Sequence, residues 1–333
     1  MTESRLLAHL RENPFVLAPM AGITDRPFRS FMRSLGCGIV VSELVSATGL
    51  RFSSEKTRKL MEFDSDQHPV GIQLFGENLE HLAEAARVVE QMGADFVDLN
   101  FGCPVPKVVN KGAGSACLKD LVRLRDVIRA TKSAVGVPLT IKIRTGWDQN
   151  SRNSDAVVQV AYDEGVTWVA IHGRTRAAAY TGLADWDYIR EIKVKSPLPI
   201  LGNGDIVSPE LARTRLRTSL CDGVMIGRGC LKNPKIFLEA RGLDSNLSLE
   251  AILSALLEQL ESFYSERLVL IQMRKFAAWF SAGFPGAASF RKDLFQAENR
   301  VQVWTRIENF FRPLAGVCPR DTSHESFLMG GHG

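Results

Sequence analysis

Eight short runs rich in Val, Ile and Leu recur between residues 16 and 229, and each is separated from the next by a stretch long enough for a helix. They are Val16–Ala21, Ile39–Val45, Val70–Gly76, Phe96–Cys103, Leu139–Gly146, Trp168–Thr175, Pro199–Ile206 and Gly223–Gly229. The stretches between them carry apolar residues at helical spacing, as in Leu79, Leu82, Ala83, Ala86 and Val89 before the stop at Met92 and Gly93. Eight β-then-α units in this length predict an α/β fold, a (β/α)8 TIM barrel. A doubly wound open sheet is the structural alternative.

After residue 243 the alternation ends. Leu249, Ile252, Leu253, Leu256, Leu257, Leu260, Phe263 and Tyr264 form one apolar stripe at helical spacing, which predicts a small all-α domain behind the barrel. We therefore expect a barrel domain over 1–243, a helical domain over 244–320 and a flexible tail over 321–333. Charge in the helical part is segregated. Residues 244–266 hold five acids and no base, whereas 267–312 hold eight bases (Arg267, Arg274, Lys275, Arg291, Lys292, Arg300, Arg306, Arg312) against three acids.

The strands' alternation says where chemistry sits. In Leu139–Gly146 the apolar Leu139, Ile141 and Ile143 alternate with Thr140, Lys142 and Arg144, so one face packs on helices and the other carries Lys142 and Arg144 inward. The same parity groups Ala170, His172 and Arg174. Polar residues at the C-terminal ends of barrel strands read as an active site. Gly202-Asn203-Gly204-Asp205 and Gly227-Arg228-Gly229 follow the seventh and eighth strands, where glycine turns commonly bind phosphate, with Arg228 as a fixed cation. Tight turns without a ligand are the plain alternative.

Six cysteines form no CxxC pair and none has zinc-type spacing to His, so we expect free thiols, a reducing compartment and no metal. Cys103 differs from the rest in standing between Gly102 and Pro104 at the end of the fourth strand, where a thiol that is mostly protonated at neutral pH can donate a proton as readily as attack. The first fifteen residues contain Glu3 and Glu12 and no apolar core of a signal peptide, and no segment has the uninterrupted apolar length of a membrane span. The expected location is cytoplasmic. A net charge of +4 does not by itself identify a nucleic-acid binder.

Seven segments stand in one order along the chain. They are Ala18-Pro19-Met20-Ala21-Gly22-Ile23-Thr24-Asp25-Arg26-Pro27-Phe28-Arg29, Gln73-Leu74-Phe75-Gly76, Asn100-Phe101-Gly102-Cys103-Pro104 with Lys107-Val108, Lys142-Ile143-Arg144-Thr145-Gly146-Trp147, His172-Gly173-Arg174-Thr175-Arg176, Gly202-Asn203-Gly204-Asp205-Ile206 and Ile226-Gly227-Arg228. Together they resemble the tRNA-dihydrouridine synthases, most of all the bacterial B branch, over residues 14 to 312. The resemblance implies FMN-dependent reduction of the C5=C6 bond of uridines in tRNA, with NADPH or NADH as a transient reductant and Cys103 as the catalytic acid.

By the same resemblance, Pro19, Met20, Ala21, Gln73, Lys142, His172, Asn203, Gly204, Asp205, Gly227 and Arg228 hold the flavin. Asn100, Arg144 and Arg174 face the substrate, and Arg274, Lys275 and Arg291 contact the tRNA. Phe276 stands where the family often has His, a departure that bears on tRNA docking. The partners expected are tRNA and no membrane, and the chain is expected to be a monomer. Two other readings are an FMN oxidoreductase acting on a small molecule, for which a basic helical domain has no use, and a tRNA-binding folding helper.

Overall fold

The computed structural model describes residues 1–52, 55–243 and 246–322. The expected tail therefore lies outside the described residues from 323 onward, as does Asp244 at the expected domain boundary.

All eight strands form, at the expected places: β1 (Phe15–Leu17), β2 (Val40–Ser46), β3 (Val70–Phe75), β4 (Phe96–Phe101), β5 (Leu139–Arg144), β6 (Val169–His172), β7 (Ile200–Asn203) and β8 (Gly223–Ile226). They pair in parallel in the order β1-β8-β7-β6-β5-β4-β3-β2, and a bridge between Val16 and Ile39 brings the two ends together. This is the TIM barrel.

The outward residues Leu139, Ile141 and Ile143 are fully buried against the surrounding helices. The inward ones are layered by height. At the N-terminal end Phe96, Trp168, Leu201 and Met225 pack together with Leu6 and Leu10 of the helix Glu3–Glu12, which plugs the barrel floor. Phe96 meets Trp168 edge to face at 5.3 Å. Gly71 makes room for this pair, because a Cβ there would lie 2.2 Å from the Phe96 ring. Above this apolar floor the inward positions become polar.

The helical C-terminal region contains Leu249–Glu261, Glu266–Phe280, Ala287–Gln296 and Arg300–Phe311. It docks on the helix Arg26–Ser34 that follows β1, where Phe276 stacks on Phe28 with centroids 5.1 Å apart. Phe276 is 1% exposed, so it belongs to this packed seam and cannot meet a tRNA directly. Polar links reinforce the seam. Asp25 caps the helix Arg26–Ser34 through the Phe28 N–H and accepts the Tyr264 hydroxyl at 2.6 Å, and Lys275 Nζ donates to the Gly22 carbonyl at 3.1 Å.

Candidate active site

The parallel register assembles the polar layer. Gln73 pairs with Asp98, Asp98 with Thr140, Asn100 with Lys142, Arg144 with His172, and His172 with Asn203, so residues far apart in sequence stand side by side on the inner wall. Gln73, Asn100, Lys142, Arg144, His172 and Asn203 line a cavity of about 720 Å³ at the C-terminal mouth, the size of a pocket for a cofactor-sized molecule, whereas Asp98 and Thr140 are buried outside its lining. Of the sequence-derived candidates, Pro19, Met20, Ala21, Gln73, Asn100, Cys103, Lys142, Arg144, His172, Arg174, Asn203, Gly204, Asp205, Gly227 and Arg228 all line it.

Cys103 sits on a turn held from three sides. Its N–H donates to Asn100 Oδ1 at 2.8 Å, its carbonyl accepts Ser115 Oγ at 2.8 Å, and the carbonyl of Gly102 accepts Arg144 Nε at 2.9 Å. Burial pushes the thiol's pKa up, so it is a protonated donor at neutral pH.

Lys142 is 9% exposed, and its Nζ makes no hydrogen bond among the described residues. Burial pushes its pKa down to about 8, with Arg144 acting in the same direction and Asp98 opposing it. His172 accepts from Arg174 Nη1 at 3.3 Å through Nε2, and burial beside four cations keeps its ring neutral with its pKa well below the ordinary value. Arg144 bonds the carbonyls of Thr175 and Ala179 with Nη1, which leaves Nη2 unbonded among the described residues.

Arg174 is used inside the protein. It donates to Thr181 O, Gly182 O and Asp205 Oδ2, so it ties the loop after β6 to the loop after β7. Asp205, at a left-handed φ of 54°, also accepts the Ala184 N–H at 2.7 Å and lies 3.9 Å from Arg228. The glycines of the two expected phosphate turns divide by role. Gly204, Gly227 and Gly229 line the cavity, Gly202 leaves room for Trp186, and Gly229 also leaves room for the Ile206 carbonyl.

Arg274, Lys275 and Arg291 are not brought together with the cavity. Arg274 donates to the Ala297 carbonyl, Lys275 to Gly22 and Arg291 weakly to Ser281 Oγ at 3.4 Å. Tyr180, Leu183, Arg215 and Lys232 also line the cavity, and Asp98 is buried as the hydrogen-bond partner of Gln73; all five are absent from the sequence-derived set. Asp98 was within reach of the inward parity of β4. Tyr180 and Leu183 come from an aperiodic loop that carries no such signal.

A parallel barrel with a cation-rich cavity and a held thiol at its C-terminal mouth has the architecture of a TIM-barrel enzyme with a polar ligand site. The chain belongs to the dihydrouridine synthase (Dus) family, whose model matches residues 16–314. It is 40% identical over 321 residues to a tRNA-dihydrouridine synthase B of Pseudomonas syringae pv. tomato, covering 93% of this chain and 95% of that one. It is 38% identical over 323 residues to the tRNA-dihydrouridine synthase B of Pseudomonas aeruginosa, covering 93% and 96%. Among solved structures, a 6-hydroxypseudooxynicotine amine oxidase from Pseudomonas geniculata N1 matches with a TM-score of 0.56 at 14% identity over 73% of this chain and 50% of that one, a likeness of fold. The helices of the described residues include none long and apolar enough to cross a membrane, and no metal-binding cluster occurs among those residues.

Proposed function

We propose that this tRNA-dihydrouridine synthase reduces the C5=C6 bond of uridine in tRNA to 5,6-dihydrouridine with FMN as resident cofactor, NADPH or NADH as the visiting reductant and Cys103 as proton donor. The observation that carries this reading is that a protonated thiol and a buried cation without an acceptor, Cys103 and Lys142, line one cavity.

The donor set fits a flavin. Lys142 and Gln73 would hold its pyrimidine edge, where a cation favours the reduced, more negative form. Pro19, Met20 and Ala21 would lie against the ring, with Gly227 leaving space beside Met20. Asn203, Gly204, Asp205 and Arg228 would hold the ribityl and phosphate portions, and His172 would contribute a neutral donor. FMN, when bound, supplies the hydride to C6.

Addition at C6 moves charge towards the C4 oxygen and leaves C5 needing a proton. Cys103 Sγ delivers it. Arg144 Nη2 and the second amide hydrogen of Asn100 are the free donors for uracil oxygens. A base inside folded RNA must be unstacked to reach this cavity, at a cost of a few kcal/mol. We assign phosphate contact to the basic stretch 267–312. Because Arg274, Lys275 and Arg291 have partners within the chain, the exposed Arg267 and Lys292 are its freest cations among the described residues.

The test is to reconstitute the protein with FMN, add NADPH and unmodified tRNA, and assay dihydrouridine. Yellow protein that is bleached by NADPH and forms dihydrouridine supports the reading. A protein that binds no FMN, or a Cys103→Ala variant that turns over normally, overturns the cofactor or the acid assignment respectively.

A further inference from the structure

Between the apolar floor of the barrel and the Cys103 turn runs one continuous row of hydrogen bonds. Thr140 Oγ1 donates to Asp98 Oδ1 at 2.6 Å, and Gln73 Nε2 donates to Asp98 Oδ2 at 2.7 Å. Asn100 Nδ2 donates to Gln73 Oε1 at 2.8 Å, and Asn100 Oδ1 accepts the N–H groups of Cys103 at 2.8 Å and Gly102 at 3.2 Å. Asp98, Gln73 and Thr140 are each 1% exposed or less.

A side-chain amide has a donor end and an acceptor end of nearly equal shape, so packing alone does not decide which way it points. A carboxylate does decide, because an ionised one only accepts. Facing Asp98, Gln73 must present Nε2. Its Oε1 then faces Asn100, which must present Nδ2, and the Asn100 oxygen is left for the backbone of the Cys103 turn. The carboxylate at the buried end and the two backbone donors at the Cys103 turn demand the same direction for every bond in the row, and Asp98 is its only side chain that accepts without an amide's freedom to turn round.

We propose that Asp98 is the positioning residue that sets the orientation of the Gln73 and Asn100 amides, and through them both the polar face offered to the flavin and the seating of Cys103. It touches neither cofactor nor substrate. The part concerning the flavin rests on the cofactor reading above, whereas the part concerning Cys103 does not.

The test compares Asp98→Asn, the double variant Asp98→Asn with Asn100→Asp, and Thr140→Val in the full-length protein. Two quantities are read: the FMN dissociation constant by fluorescence titration, and the rate at which iodoacetamide alkylates the Cys103 peptide, followed by mass spectrometry. Asp98→Asn removes the fixed acceptor, and we expect FMN to bind about tenfold more weakly and the alkylation rate to change by about threefold or more. The double variant moves the carboxylate to the other end of the row. It again accepts the Cys103 N–H, so alkylation returns to within about twofold of the wild-type rate, but it turns Gln73 round, so FMN binding stays weak. Thr140→Val leaves the carboxylate facing Gln73 and keeps both quantities near the wild-type values.

Wild-type behaviour of Asp98→Asn, failure of the double variant to restore alkylation, or equal effects of Thr140→Val and Asp98→Asn would each overturn the proposal. If Asp98→Asn does not fold, recovery of folding in the double variant supports the row and its absence overturns it. If the wild-type protein binds no FMN, the cofactor reading fails and the alkylation pattern alone decides the role of Asp98.

Discussion

Replacing Lys142 by Met should make the flavin-free protein more stable while removing its function. Burial lowers the lysine's pKa from the ordinary 10.5 to about 8. At 1.36 kcal/mol per tenfold change in proton affinity, the charged ammonium costs the folded state about 3 kcal/mol at pH 7. Methionine has similar length and no charge, so the replacement removes that cost without opening a large cavity. Part of the gain is lost again, because Lys142 helps to keep the neighbouring Asp98 ionised and Asp98 already has its pKa raised to about 6 by burial. A net gain of about 1–3 kcal/mol remains. The sign of the pH dependence follows. Between pH 8 and 10.5 the unfolded chain holds the lysine proton and the folded one has released it, so wild-type stability receives a rising contribution across that window. The assay is urea unfolding of flavin-free protein at pH 7 and pH 9.5, flavin-free because a bound ligand adds its own stabilisation. The wild-type-minus-variant difference should narrow as pH rises. A Lys142→Met protein less stable than wild type at pH 7, or a difference that does not move with pH, would refute the reasoning.

Tyr264→Phe removes the hydroxyl bonded to the buried Asp25 carboxylate at the seam between barrel and helices, and should cost about 1–3 kcal/mol, read as a lower urea midpoint. Gly71→Ala places a methyl group 2.2 Å from the Phe96 ring in the barrel floor and should destabilise by about 1–3 kcal/mol, whereas Gly93→Ala meets nothing within 4 Å and should cost about 1 kcal/mol through its left-handed φ alone. Cys103→Ala should retain flavin that NADPH still reduces but form no dihydrouridine, checked by absorbance and by nucleoside analysis of the tRNA. Arg174→Met removes the side chain that joins the loops after β6 and β7, and should raise proteolytic cleavage within residues 176–184 while leaving the barrel's circular dichroism unchanged.

Period-two alternation carries most of the fold and a large part of the site, because a strand that is apolar on both faces at its start and polar on its inner face at its end suits a parallel sheet with a polar C-terminal mouth, and eight of them in a row suit a barrel. Lys142, Arg144, His172 and Arg174 follow from that parity. Asp98 follows from it as well, being two residues from both Phe96 and Asn100 on the same face, yet its partners Gln73 and Thr140 arrive only through the register of β3 and β5 against β4. The uses of Arg274, Lys275 and Arg291 are a different matter. Local charge gives their sign and their segment, but whether each meets water, RNA or a carbonyl of its own chain depends on how four helices dock on the helix after β1, which no local pattern encodes. Phe276 shows the same limit, since the ring that reads as a docking surface is half of a stacked pair with Phe28.

The division of the barrel by height explains why so many unfavourable groups are retained. The apolar floor made by Leu6, Leu10, Phe96 and Trp168 closes one end of the barrel, and burial within the barrel lowers Lys142 and Arg144 and raises Asp98 and Cys103. The same low-dielectric wall strengthens every interaction that a bound ligand makes with these groups. A cation that destabilises the empty fold is therefore worth most when an electron-accepting ligand sits beside it. The cost at Lys142 and the affinity we propose for it have one physical origin, so a substitution that removes the first should remove the second.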